Sequence, residues 1–139
     1  MLQTTDRILD DTRAALAGVL AEHPTLTGVG WLDPRRPNFD QSRAALANLD
    51  ASTWTALLAW CRDNLAPTRG INPRRMGFSY FLKHAAEDSI GVYVSNGALI
   101  AALLACGYGF RRDGTGPNCH FNVTMATPGH RVYDAGDTR

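Results

Sequence analysis

Residues 91–106 read GVYVSNGALIAALLAC, and the fold turns on whether the helix they predict is buried or lies on the surface. Ser95 or Asn96 can cap its start, and Gly107 can close it in a left-handed turn. Leu99, Ile100, Leu103 and Leu104 fill one arc of the helical wheel, and Ala98, Ala101, Ala102 and Ala105 fill the opposite one. A helix apolar all round is a core helix. We therefore expect a single small α+β domain: about four helices around the apolar helix 96–106, with a β-hairpin at the C-terminal end.

The order helix, turn, helix, hairpin is also that of a winged-helix DNA reader, with this segment in the reading position. Direct readout needs side chains such as Arg, Asn or Gln that reach base edges, or phosphate contacts from the same helix. After Asn96 this helix carries none. The alanine side could instead pack on a second copy of the chain, which would make the protein a homo-oligomer.

Working outward, Ile8, Leu9, Thr12, Leu16, Val19 and Leu20 share a helical face that Thr5 can cap and that ends before Pro24. Gly28, Gly30, Pro34 and Pro37 punctuate a loop with a short strand over 29–32, and residues 41–47 form a short helix. A helix from Asp50 or Ser52 aligns Trp54, Leu57, Leu58, Cys61 and Leu65 and stops before Pro67; Trp60 falls off that stripe. Ser79 caps a helix reaching Ile90. There Phe81, Leu82, Ala85, Ala86 and Ser89 face one way and Tyr80, Lys83, His84, Glu87 and Asp88 the other. YGFRR (108–112) and CHFNVTM (119–125) flank DGTGPN as a hairpin. Residues 126–139 read as a tail, with one further strand at 131–133.

The chain has 139 residues and a formal net charge of +1, so attraction to nucleic acid must come from a local patch. Three cysteines, Cys61, Cys106 and Cys119, lack metal-binding spacing and read as reduced thiols. The stretch MLQTTDRILDD has neither the basic nor the apolar region of a signal peptide, and the longest apolar run is half a bilayer span. A cytoplasmic protein without membrane contact or cofactor is expected.

Three constellations could carry function. His84 and Glu87 stand at i, i+3, a spacing that shares a proton or a metal; the plainer alternative is a solvated face with Lys83–Glu87 and His84–Asp88 pairs. On CHFN (119–122), alternation sends Cys119 and Phe121 one way and His120 and Asn122 the other. His120 with Asn122 as orienter, or Cys119 as nucleophile, would make an acid-base or covalent site; the alternative is a half-buried strand. Third come the arginine pairs. DPRRPNF (33–39) and NPRRMGF (72–78) share one form, and Arg111-Arg112 adds another pair. If Arg35, Arg36, Arg74, Arg75, Arg111 and Arg112 gather, they grip phosphates or an acidic protein surface; if not, they are solvated loops. No phosphate loop, nucleophile elbow, zinc spacing or dinucleotide fingerprint is present.

SYFLKHAAEDSIGVYVSNGALIAALLACGYGF followed by CHFNV resembles a segment of small accessory proteins carried by phages, plasmids and integrated elements. The shared features are Ser79, Tyr80, Leu82, Lys83, His84, Glu87, YVSNG at 93–97, Ala101, Gly107 and Phe121-Asn122, about a third of the chain. The resemblance implies a small protein that binds host or element machinery. It ranks Lys83, His84 and Asn96 above the arginines. Binding through the polar face of 79–90 and the arginine loops, to nucleic acid or an acidic protein, is the leading expectation. A small enzyme using His84, Glu87, His120 and Asn122 is the alternative.

Overall fold

The Ser95 side chain accepts the N–H of Ala98 and so starts a helix, α5 (Asn96–Ala105). Gly107, at φ 91°, stops it; its N–H reaches Leu104 O while that of Tyr108 reaches Leu103 O. A computed structural model describes the backbone of residues 2–126 and the side chains of residues 11–126. In it the side chains from Ala98 to Leu103 have no exposed surface at all. The helix is the core, as its sequence demands.

Against α5 lie α1 (Leu2–Glu22), α3 (Ala51–Asn64) and α4 (Ser79–Ile90), while α2 (Phe39–Ala47) rests on the first hairpin and on α1. Asp50 caps α3 by accepting the Thr53 N–H. Trp54, Leu57, Leu58, Cys61 and Leu65 turn inward as the stripe requires. Trp60 joins them, only 5% exposed, so the residue off the stripe fills a place of its own. Three short antiparallel pairs complete an α+β domain: β1 (Leu26–Thr27) with β2 (Gly30–Trp31), β3 (Leu65–Pro67) with β6 (Val123–Met125), and β4 (Phe110–Arg112) with β5 (Cys119–Phe121).

Several sequence expectations change. The first helix already runs from Leu2, so Thr5 lies inside it and is no cap. The strand expected at 29–32 is a tight hairpin whose two-residue turn is Gly28-Val29. The run 119–125 breaks at Asn122: one half pairs with β4, and the other crosses to β3, a partner 58 positions away in register at Ala66↔Thr124. Ser79 does not cap α4, whose N-cap is Phe78. Its hydroxyl instead accepts the Cys119 N–H and donates to Asn118 Oδ1, tying α4 to β5. Ser89 is exposed and Lys83 buried, because the packed stripe of α4 runs through Ser79, Leu82, Lys83 and Ala86. Ala98, Ala101 and Ala102 are enclosed by the chain's own elements, which leaves no alanine face for a second copy. No described helix is long and apolar enough to cross a membrane. The strand expected at 131–133, and the tail beyond Ala126, lie outside the described residues.

Candidate functional site

Alternation along β4 decides where the third arginine pair goes. Arg111 stands opposite His120 and Arg112 opposite Cys119, and Cys119 and Phe121 are buried while His120 is not. Arg111 and His120 therefore share the outward face, and Arg112 leaves on the other, where its guanidinium lies 5.5 Å from the centre of the Trp31 ring. The six arginines do not form one patch. Arg36 and Arg112 line one cleft, together with Trp31. Arg35 is held by Asp33 at 2.8 Å, an exposed pair that draws the Asp33 carboxyl down to about 2, chiefly through that hydrogen bond.

The outward face of the hairpin continues into the start of α4. Phe78 bridges to His120 beside β5, and their rings are 4.8 Å apart. One helical step on, Phe81 lies beneath the Arg75 guanidinium at 5.1 Å. The result is a row: Arg75 over Phe81, then Phe78, His120 and Arg111. Phe78, Phe81 and His120 are half-buried and both arginines exposed. Burial lowers the His120 pKa below its ordinary value, with Arg111 acting the same way against Asp113. The ring is neutral at pH 7 and presents an aromatic face. Phe78 and Phe81 escaped sequence reasoning because a half-buried aromatic beside an arginine has no spacing signature of its own. The NPRRMGF string that holds Phe78 was the only signal.

A second surface is the α4 ridge. Glu87 Oε1 receives Lys83 Nζ at 3.0 Å and the Val94 N–H at 3.1 Å, and its Oε2 lies 3.1 Å from His84 Nδ1. Lys83 Nζ also sits 4.6 Å from the Tyr93 ring centre, and the His84 ring stands edge-on to Tyr80 at 4.6 Å. His84 thus pairs with Glu87, not with Asp88. Lys83, with its side chain 8% exposed, is spent on this network and is no surface contact. Tyr80 at 50%, Tyr93 at 73% and Val92 at 46% exposure are what the ridge offers a partner.

No family model, curated protein or solved structure matches this chain.

The remaining expected site residues lie apart from these two surfaces or within the fold. Asn96 is 7% exposed and donates from Nδ2 to Val29 O at 3.0 Å, so it clamps the first hairpin and faces no partner. Asn122 Oδ1 accepts the Gly109 N–H at 3.0 Å and does not orient His120. His84 touches Tyr80 and Glu87, whereas His120 touches Phe78, so the two rings engage different partners. Cys119 has no exposed surface, and burial pushes its thiol up to about 11, which disarms it as a nucleophile at neutral pH. Among the described residues no group of three or more His, Cys, Asp or Glu gathers to hold a metal. Arg74, next to Arg75, keeps its backbone N–H on Asn72 Oδ1 at 3.0 Å.

Two titrations test this description. Glu87 is held below its ordinary value of 4.5, first by the Val94 N–H and then by Lys83. A carboxylate depressed in the folded state stabilises above its unfolded pKa, and that contribution is lost as pH falls through the folded value. Thermal midpoints between about pH 5 and about pH 3 should therefore fall less steeply in Glu87→Gln than in the parent protein; equal slopes contradict the network. Cys106 receives the Cys61 thiol, which, with help from Arg62, draws it down to about 7, while Cys61 moves up. Alkylation by iodoacetamide, followed by mass spectrometry, should label Cys106 first, half-maximally near that pH. Preferential labelling of buried Cys61 or Cys119 would refute the pairing.

Proposed function

We propose that this chain is a small non-catalytic binding protein that engages nucleic acid through the Arg75–Phe81–Phe78–His120–Arg111 row. The observation that carries the reading is the interleaving of cations with aromatic rings on one outward face. Guanidinium groups pair with phosphates while ring faces accept bases, a combination that suits single strands and tolerates any sequence. Near-neutral net charge confines the attraction to that face. The resemblance of residues 79–122 to accessory proteins of phages and plasmids supports a regulatory role in a mobile element, with host or element machinery as context.

Fluorescence anisotropy with labelled single- and double-stranded DNA and RNA tests it. Single strands should bind more tightly, weakening steeply as salt rises, and Arg75→Glu with Arg111→Glu should cost at least about tenfold in affinity. No binding at low salt ends the nucleic-acid reading. The exposed Tyr80, Val92 and Tyr93 favour a second one, a protein partner on the α4 ridge. In that case Tyr93→Ala should abolish capture of the partner, while the arginine substitutions leave it intact.

A further inference from the structure

We infer that the cleft lined by Trp31 is a separate site for a small phosphomonoester of the nucleoside monophosphate class. The cleft holds about 800 Å³ and is lined by Trp31, Leu32, Pro34, Arg36, Arg112 and Pro117, among others. That volume suits a small ligand, and walls mostly apolar with a few convergent polar groups are the usual composition of such sites.

Two cations line this cleft, Arg36 from the loop after the first hairpin and Arg112 from the end of β4. Arg36 has no ion pair or side-chain hydrogen bond among the described residues and acts on the nearby Asp33 carboxylate only through its charge. Arg112 is held in place: its Nη2 donates to Gly116 O at 3.0 Å and to Thr115 O at 3.4 Å, above the Trp31 ring. Both bonds use Nη2, the nitrogen shared by the two bidentate edges of the guanidinium, so the Nε and Nη1 donors remain for single charge-assisted hydrogen bonds to a phosphoryl group. Asp33, the carboxylate in the lining, is neutralised by Arg35. The remaining charge in the cleft is two guanidinium groups, which matches a dianion.

The walls are set before any ligand arrives. Trp31 N–H bonds Pro117 O at 3.0 Å, Leu32 N–H bonds Thr25 O at 2.9 Å, and Arg36 N–H bonds Asp33 O at 3.0 Å. Gly30 lets Pro117 close on the first hairpin, since a Cβ there would lie 2.2 Å from Pro117 O. Preorganised walls lower the ordering cost of binding. Val29, 44% exposed, stands in the lining with Leu32 and Pro34 as an apolar surface for the ligand body.

The test is isothermal titration of the whole chain with AMP, GMP, CMP and UMP, with the parent nucleosides, and with inorganic phosphate. At least one monophosphate should bind at micromolar to sub-millimolar concentration, about tenfold or more tighter than phosphate alone, and its nucleoside should not bind. Arg36→Gln should weaken it about tenfold or more without touching a described partner, so loss of folding cannot mimic the effect; Arg112→Lys, which keeps the charge and removes the directed Nε and Nη1 donors, should also weaken it. Arg75→Glu with Arg111→Glu should leave it unchanged, which separates this site from the proposed nucleic-acid row. The inference is overturned if no monophosphate binds at low salt, if phosphate binds as well as the nucleotides, or if Arg36→Gln has no effect.

Discussion

Gly97→Ala should destabilise the fold by about 3 kcal/mol or more, since forced overpacking against backbone sits at the upper end of what single substitutions do. A Cβ at this position would lie 1.7 Å from Thr27 O and 2.9 Å from Gly28 C. Both are backbone atoms, and neither can swing aside. The approach is close because the Gly97 N–H bonds Gly28 O at 2.9 Å, which seats the start of α5 directly on the first hairpin. Relief therefore means separating α5 from β1 and giving up the Asn96 clamp. Gly18, in α1, has nothing within 4 Å of its added Cβ, so Gly18→Ala should stabilise by about 0.5–1 kcal/mol through helix propensity alone. Urea denaturation of the two variants measures both signs. A Gly97→Ala protein as stable as the parent would mean that α5 does not sit on the hairpin.

Leu103→Ala should cost about 2–5 kcal/mol, the range for truncating a buried leucine where the surroundings collapse only in part. Leu103 has no exposed surface, and α5 is enclosed by α1, α3 and α4. Leu104, one position on, is only partly buried, so Leu104→Ala should cost less. Were this helix a surface reader, both changes would fall within about 0.5 kcal/mol. The difference between neighbouring leucines thus decides between core and surface by a single denaturation series, and it does so without any binding partner.

How much of the site could be read in advance differs from residue to residue. The parting of Cys119 and Phe121 from His120 followed from strand alternation alone, and the structure agrees, with the first two buried. Lys83 did not follow. Period 3.6 fixes which residues share a face but not where the packed stripe is centred, and α4 turns far enough to bury Lys83 and expose Ser89. A lysine tolerates this because its stem is apolar and Glu87 meets its ammonium. Adjacent arginines on a strand part company by geometry, so Arg111 and Arg112, neighbours in sequence, leave on opposite faces of β4. Asn96 entered the expected site only through the resemblance to accessory proteins. Only the position of Val29 O shows that its Nδ2 is engaged within the fold.

The sequence alone determined the elements whose signals are local. These are the apolar helix 96–106 with a cap at Ser95 or Asn96 and its Gly107 stop, the helix that starts at Asp50 or Ser52, the hairpin after residue 108, and the α+β class that follows from them. Burial of a fully apolar helix is compelled by the cost of exposing it, so no tertiary information was needed. What only the tertiary structure decided is every pairing between distant segments. Examples are β3 with β6, the seat of Gly97 on Gly28, the row joining Arg75 and Phe81 to His120 and Arg111, and the cleft that Arg36 and Arg112 line. Such contacts depend on how helices rotate and slide as they pack around α5, which no short-range period encodes.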